Sequence, residues 1–400
     1  MQRLFSLFLL AGLALPAFAA KDATVAKVTV AQLEQALATA HDQPDVEVAR
    51  QLSGLALTER LNMVKLGHLK AAMPGDKARD QLTILADSAA FLNPPAAEIP
   101  ADAAPDQAAA SQMLTLIVNY VNTTTRQLPN FIALRDTIGF EDQPQEDVQG
   151  ETGITTRAAM PLHSVGKFSL TVTYRDHNEV VDEKAAKHGA RTGGLTTFGE
   201  FGPILSLVVA DALKGKITWG RWEQGAGGKA AVFLYTVPSE KSHYPVQFCC
   251  IAEGINNDGT LNRRIFKEIV SYHGEIAFDP TNGTILRITM EADLPAGELV
   301  SKAGIQVEYS SIEIAGKNYV CPVKSVSILM AHTARQTGML NKEHYKGAAK
   351  TFLNDVVFGQ YRRFGSEIRI LTGDDGDSSH PFGPASADAP YSPPSRAVTH

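Results

Sequence analysis

Phe168-Ser169-Leu170-Thr171-Val172-Thr173-Tyr174 alternates apolar and polar residues without a break. Successive strand residues face opposite sides of a sheet, so this period of two describes a strand with one face buried and one face wet. Downstream the same pattern returns at Lys216 to Glu223, Ala230 to Val237, Tyr244 to Ala252, Tyr272 to Phe278, Thr284 to Ala292, Gly304 to Ile314, Tyr319 to Met330 and Glu367 to Leu371. Asp279-Pro280-Thr281-Asn282-Gly283 and Ala315-Gly316-Lys317-Asn318 separate neighbouring runs, and their Asn and Gly residues tolerate the positive φ that tight hairpins need. Short turns between neighbours imply antiparallel pairing.

Upstream of Asn130 the period is that of a helix. Thr29 with Gln32 three residues on is a capping-box start, and Leu33 with Leu37 continues one face. A second segment runs from Asp45 through Val48, Leu52 and Leu55. A third is expected from Thr58 with Leu61, Val64 and Leu69, ending at Pro74-Gly75; a fourth from Asp76 buries Leu82, Leu85 and Ala89 before Asn93-Pro94-Pro95. Short connections between these segments predict a compact antiparallel helical bundle. The four prolines between Asn93 and Gln107 have linker composition, and a fifth helix follows over about Ala108 to Arg126 with Met113, Leu116, Ile117, Tyr120 and Val121 on one face.

The expected class is therefore α+β. An N-terminal antiparallel helical region (20–92) and a Pro/Ala-rich linker (93–107) precede a connecting helix plus antiparallel β domain (108–371). Residues 1–19 read as a signal peptide and 372–400 as a disordered tail. Arg3, the apolar run Leu4 to Leu15 and Ala17-Phe18-Ala19 have the order of a cleavable secretory signal, cut after Ala19, which predicts a periplasmic or secreted protein. The run is shorter than the ~18 apolar residues of a membrane anchor, so the reading is not an integral membrane protein. A net charge of −6 and a pI near 6.0 leave no basic footprint for nucleic acid. In an oxidising compartment, either Cys249 or Cys250 can form a disulfide with Cys321, or all three are small buried apolar groups.

The hairpin Gly274-Glu275-Ile276-Ala277-Phe278-Asp279-Pro280 to Gly283-Thr284-Ile285-Leu286-Arg287-Ile288 resembles a unit of the lipoprotein-sorting carrier superfamily of bacterial envelopes. So does Val307-Glu308-Tyr309 rising to Ile314-Ala315-Gly316-Lys317 and returning through Tyr319-Val320-Cys321-Pro322-Val323-Lys324. The likeness covers about Tyr272 to Lys324. It implies a strongly curved antiparallel half-barrel with a helix closing its mouth over an acyl-chain cavity. The helical region, the proline linker, Leu128-Pro129-Asn130-Phe131 and Gly199-Glu200-Phe201-Gly202-Pro203 together resemble an uncharacterised family of exported bacterial proteins.

Pro203 to Leu213 is a helix apolar nearly all round, carrying Ile204, Leu205, Leu207, Val208, Val209 and Leu213. It is expected on the concave face of the sheet, either as a core helix or as the wall of a lipophilic cavity. Glu200 and Phe201 sit at its start, where a carboxylate suits the helix dipole. On the following strand, Trp219 and Arg221 are expected to share one face, with Trp222 on the other, as a structural stack or a ligand rim. The candidate ligand-binding set is Glu200, Phe201, Ile204, Leu207, Val208, Trp219, Arg221 and Trp222. No catalytic residue, metal or cofactor is assigned: the acids and histidines from Asp176 to His188 match no zinc spacing, and no nucleophile elbow surrounds Ser242-His243. The expected activity is non-catalytic binding of a lipid or envelope component. The alternatives are a scaffold that docks a protein partner through the N-terminal helices, and an envelope enzyme using Glu200 with a nearby histidine.

Overall fold

The computed structural model describes residues 25–40, 42–150, 153–176, 178–181, 199–225, 227–255, 261–295, 299–335 and 345–364, all within one compact unit that ends at Phe364. The expected signal peptide, the tail and the strand Glu367 to Leu371 lie outside these residues.

The N-terminal region contains β1 (Ala26–Val28), α1 (Val30–Thr39), α2 (Asp45–Ser53), β2 (Leu55–Leu57), α3 (Met63–Ala71) and α4 (Asp76–Ser88). Thr29 and Gln32 form the expected capping box. The expected pure bundle is broken by a parallel pairing of β1 with β2, which absorbs Leu55. For the same reason the third helix starts at Met63 rather than Thr58: Asn62 caps it by accepting from the Lys65 amide. Gly75 offers α4 no capping side chain. Instead Asp45, the first residue of α2, accepts from the Lys77 and Ala78 amides, which ties the two helices together. Val30, Leu33, Val48, Leu52, Leu66, Leu82 and Leu85 close this small core.

A strap with one short 3-10 turn (Ala96–Glu98) leads to α5 (Gln107–Gln127). Then come β3 (Phe131–Gln143), β4 (Glu146–Gly150), β5 (Gly153–Arg157), β6 (Met160–Arg175), β7 (Asn178–Val181), α6 (Pro203–Lys214), β8 (Lys216–Gly225), β9 (Gly228–Val237), β10 (Pro245–Ile255), β11 (Leu261–Ile269), β12 (Ser271–Phe278), β13 (Ile285–Asp293), β14 (Val300–Ile314), β15 (Lys317–Arg335) and β16 (Tyr345–Arg363). Ten of these strands form one curved, unclosed antiparallel sheet in the order β7-β6-β3-β16-β15-β14-β13-β12-β9-β8. β4 with β5, and β10 with β11, are separate two-stranded ribbons.

Strand alternation gives the sheet two different faces. On the concave face, Phe233, Tyr235, Tyr272, Ile276, Phe278, Ile288 and Val307 pack against Ile117 and Val121 of α5 and Leu205, Val208 and Val209 of α6. Twelve such side chains at ~1.5–3 kcal/mol each make this burial a large favourable term in the domain. Gly283, at φ +77°, is where the β12–β13 turn meets α5: a Cβ there would lie 2.4 Å from the Leu116 backbone.

The convex face carries the N-terminal region. Ile84, Ala90 and Phe91 meet Val326, Ile328, Leu353 and Phe140. Beside this apolar contact the interface is ionic. Arg60 is bonded to Glu223 and lies 3.7 Å from Glu275, while Arg287 and Arg221 each reach both carboxylates. Lys324 lies between Asp87 of α4 and Asp355 of β16. Charges this deep are tolerable because each is paired; removing one partner would leave an uncompensated charge costing about 3–5 kcal/mol. The strap then rounds the β8 edge, where Trp222 donates from Nε1 to the Ala103 carbonyl at 2.8 Å and Lys229 pairs with Asp102. An edge strand covered in this way is less available for pairing with another chain.

Candidate functional site

Three pieces of chain converge over the middle of the concave face. The first turns of α6 supply Pro203, Ile204 and Leu207. The start of the β10 ribbon supplies Tyr244, Pro245, Val246 and Gln247. The sheet beneath supplies Met290, Ala303, Ile305, Ser327 and Leu329. Between them lies a cavity of about 270 Å³. Its walls are mainly hydrocarbon and ring carbon, and Ser327 places a buried hydroxyl in the floor.

The ribbon holds its place through two contacts. Val246, Phe266 and Val270 pack against Val300, Leu329 and Phe352 of the sheet. At the other end, Asp211 of α6, 1% exposed, accepts from the His243 amide at 2.8 Å and the Tyr272 hydroxyl at 3.0 Å, and His243 Nδ1 lies 2.6 Å from its other oxygen. Asp211 therefore clamps the two walls of the cavity at one end. Burial pushes the Tyr244 phenol up to about 12, so at neutral pH the wall is uncharged there.

Glu200 has a structural occupation at the other end of α6. It is fully buried and accepts from Arg135 Nη2 at 3.1 Å. Glu179 of β7 accepts from the Gly199 amide at 3.0 Å. Burial first, and the neighbouring Glu200 charge second, push Glu179 up to about 7. The loop before α6 is thus pinned to the sheet by two carboxylates and one guanidinium.

The expected site residues separate into six environments. Ile204 and Leu207 line the cavity. Val208 is buried in the packing between α6 and the sheet, and Phe201 in an aromatic cluster with Phe131, Phe358 and Tyr361. Glu200 belongs to the buried ion pair. Trp219 and Trp222 lie at the β8 edge, where a bulge skips Gly220 and puts both indoles on the concave side, opposite Phe233 and Ala231. The expectation that Trp219 and Arg221 share a face is overturned by that bulge, which sends Arg221 to the convex ion network instead. For the expected pairing of Cys321 with Cys249 or Cys250, the side chains of Cys249 and Cys250 lie outside the described residues. Among the described residues Cys321 is a free, buried thiol packed with Phe131, Tyr174 and Phe358. The ligand-type residues near His177 and Asp182 fall largely outside the described residues.

Tyr244, Val246, Met290, Ser327, Asp211 and His243 were not expected at the site. Their signal is spatial: β10 carries no helix-like or motif-like spacing that would bring it over β14 and β15. Among the described residues no helix is long and apolar enough to cross a membrane.

No family model matches this chain, and no curated protein matches it. Among solved structures, a chain of the complex of Pseudomonas aeruginosa MucA/MucB is similar over 64% of this chain and 100% of its own, at 9% identity and a TM-score of 0.20. A TM-score that low carries no argument about fold or role.

Proposed function

We propose that this chain is a non-catalytic binding protein of the cell envelope that holds a lipophilic ligand or envelope component beneath α6. The cavity walled by Ile204, Leu207, Tyr244 and Met290 carries this reading. Its volume, about 270 Å³, lies just under the ~300–1,000 Å³ of small-molecule sites, which suits one slim apolar group. The envelope assignment rests on the secretory-signal pattern read from Arg3, Leu4 to Leu15 and Ala17-Phe18-Ala19.

Two features support binding in the sheet over the other classes. The apolar faces of α1 to α4 are spent on their own core and on the convex face, and the large apolar residues exposed there, such as Val46 and Val64, are isolated. Glu200, the acid an enzyme reading requires, is engaged by Arg135. The test is displacement of the fluorescent probe N-phenyl-naphthylamine from the full mature chain. Leu207→Asp would put an unpaired charge against the cavity and is expected to abolish probe binding, with the fold checked by circular dichroism. Unchanged binding by the folded variant would exclude the cavity as the site.

A further inference from the structure

The strand face that floors the cavity at Ser327 continues beyond the cavity lining. Ser327 of β15 lies opposite Asn354 of β16, and Ser325, two residues back on the same face, lies opposite Val356. Val356 in turn lies opposite Thr137 of β3. Ser327, Ser325 and Thr137 therefore form an oblique row on the concave face, leading away from the apolar walls. Ser325 to Thr137 spans two strand spacings, about 10 Å. All three are almost wholly buried, and among the described residues none of their hydroxyl oxygens has a hydrogen-bond partner.

A buried hydroxyl left unpaired costs about 1–3 kcal/mol, and such groups are few in native structures. Three in one row, starting at a cavity wall, call for a ligand atom to pair with them. The charges nearby limit what that atom can be. The row ends two residues from Arg135, which is already bonded to the buried Glu200, with the Glu179 carboxyl beside it. An anionic group would meet carboxylates there, and a second cation would meet Arg135. Neutral hydroxyls alone repay little of the cost of desolvating a full charge.

We infer that the ligand carries an uncharged oxygen-bearing group, an ester, amide or hydroxyl, that rests on Ser327 and Ser325 and points toward Thr137 while its apolar part fills the cavity. This inference rests on the binding function proposed above. Ser327 and Ser325 thereby set the specificity of the site, and Leu207 sets its capacity for hydrocarbon.

The experiment measures displacement of N-phenyl-naphthylamine by decane, methyl decanoate and decanoate from three forms of the full mature chain: wild type, Leu207→Asp, and Ser325→Ala with Ser327→Ala. Alanine removes unpaired groups without adding volume, so the double variant is expected to fold at least as stably as wild type. The expected result is that it binds methyl decanoate about tenfold more weakly, the worth of one hydrogen bond, while decane is unaffected. If it binds the ester as wild type does while Leu207→Asp abolishes binding, the polar row is not part of the site and the cavity reading survives. Decanoate binding more tightly than its methyl ester overturns the neutral-group inference. Equal binding by wild type and Leu207→Asp overturns the cavity reading and this inference together.

Discussion

Trp219 and Trp222 meet edge to face with ring centroids 4.8 Å apart, although three positions along a regular strand would put them on opposite sides of the sheet. Gly220 makes this possible. The bulge removes one residue from the register with β9, and a Cβ on Gly220 would stand 3.0 Å from both the Val232 carbonyl and Leu234 Cγ.

Gly220→Ala must therefore shift either the bulge or β9. The expected loss is about 1–3 kcal/mol of stability in urea unfolding, together with a weaker near-ultraviolet dichroism signal from the indole pair. Only two tryptophans are present in the chain, so that signal reports this strand alone. A variant with wild-type stability and spectrum would show that Gly220 is not required for the bulge.

Lys324 can neutralise one of its two carboxylate neighbours, so the other retains its proton. Burial, with Asp355 adding to it and Lys324 opposing it, pushes Asp87 up to about 7. A carboxyl raised in the folded state binds more protons there than in the unfolded state between about pH 3.8 and 7, so its contribution is present at low pH and lost across that window. Asp87→Asn should remove a slope approaching 1.4 kcal/mol per pH unit, roughly the linkage limit for one group. Denaturation midpoints of the two proteins should lie closest near pH 4, where both side chains are neutral, and separate toward about pH 7 as the wild type alone loses stability; parallel curves would contradict the assignment.

Glu223 has the opposite sign. Burial works against its charge, but Arg287, Arg60 and Arg221 outweigh that and hold it down at about 2. Its stabilisation is full above 4.5 and is lost as the pH falls toward 2. Glu223→Gln is expected to cost about 3–5 kcal/mol at neutral pH by leaving three guanidinium groups around Glu275 alone. The loss should shrink in acid, measured as the difference between wild-type and variant unfolding curves.

Cys321 should be inert in the native chain. Burial pushes its thiol up to about 12, so the reactive thiolate at pH 8 is roughly one part in ten thousand even before access is considered. Iodoacetamide is expected to leave the Cys321 peptide unmodified in the folded protein and to alkylate it in urea, as read by peptide mass. Labelling in the native state would place the thiol at the surface.

The sequence shows most clearly those elements whose pattern has one cause. Phe233, Tyr235 and Val237 alternate with exposed Leu234 and Thr236 because that end of β9 has one packed face, and Ala78, Leu82 and Leu85 recur at helical spacing because they share the stripe of α4 that faces the helical core. β16 and β3 are harder to read. Both bury side chains on two faces, so Leu353 and Val356, or Phe131 and Phe140, fall on no single period. In the opening stretch, only Val172 and Tyr174 are buried, while Phe168 is 39% exposed, because β6 extends beyond its cover. Of the cavity, Ile204 and Leu207 are legible as part of an apolar helix. Its other wall comes from a ribbon that leaves the main sheet between β9 and β12, and no local property of Tyr244 or Val246 announces that departure.

β3 and β16, the first and last strands of the main sheet in chain order, are hydrogen-bonded neighbours from Phe131–Arg363 to Glu141–Phe352. The sheet's middle therefore stays open until its final strand arrives. A polypeptide emerging residue by residue can complete the four N-terminal helices early, but their seat on Val326, Ile328 and Leu353 and the floor under α6 both wait for β16. Loss of that strand would leave β3 and β15 as bare edges, open to pairing with another chain.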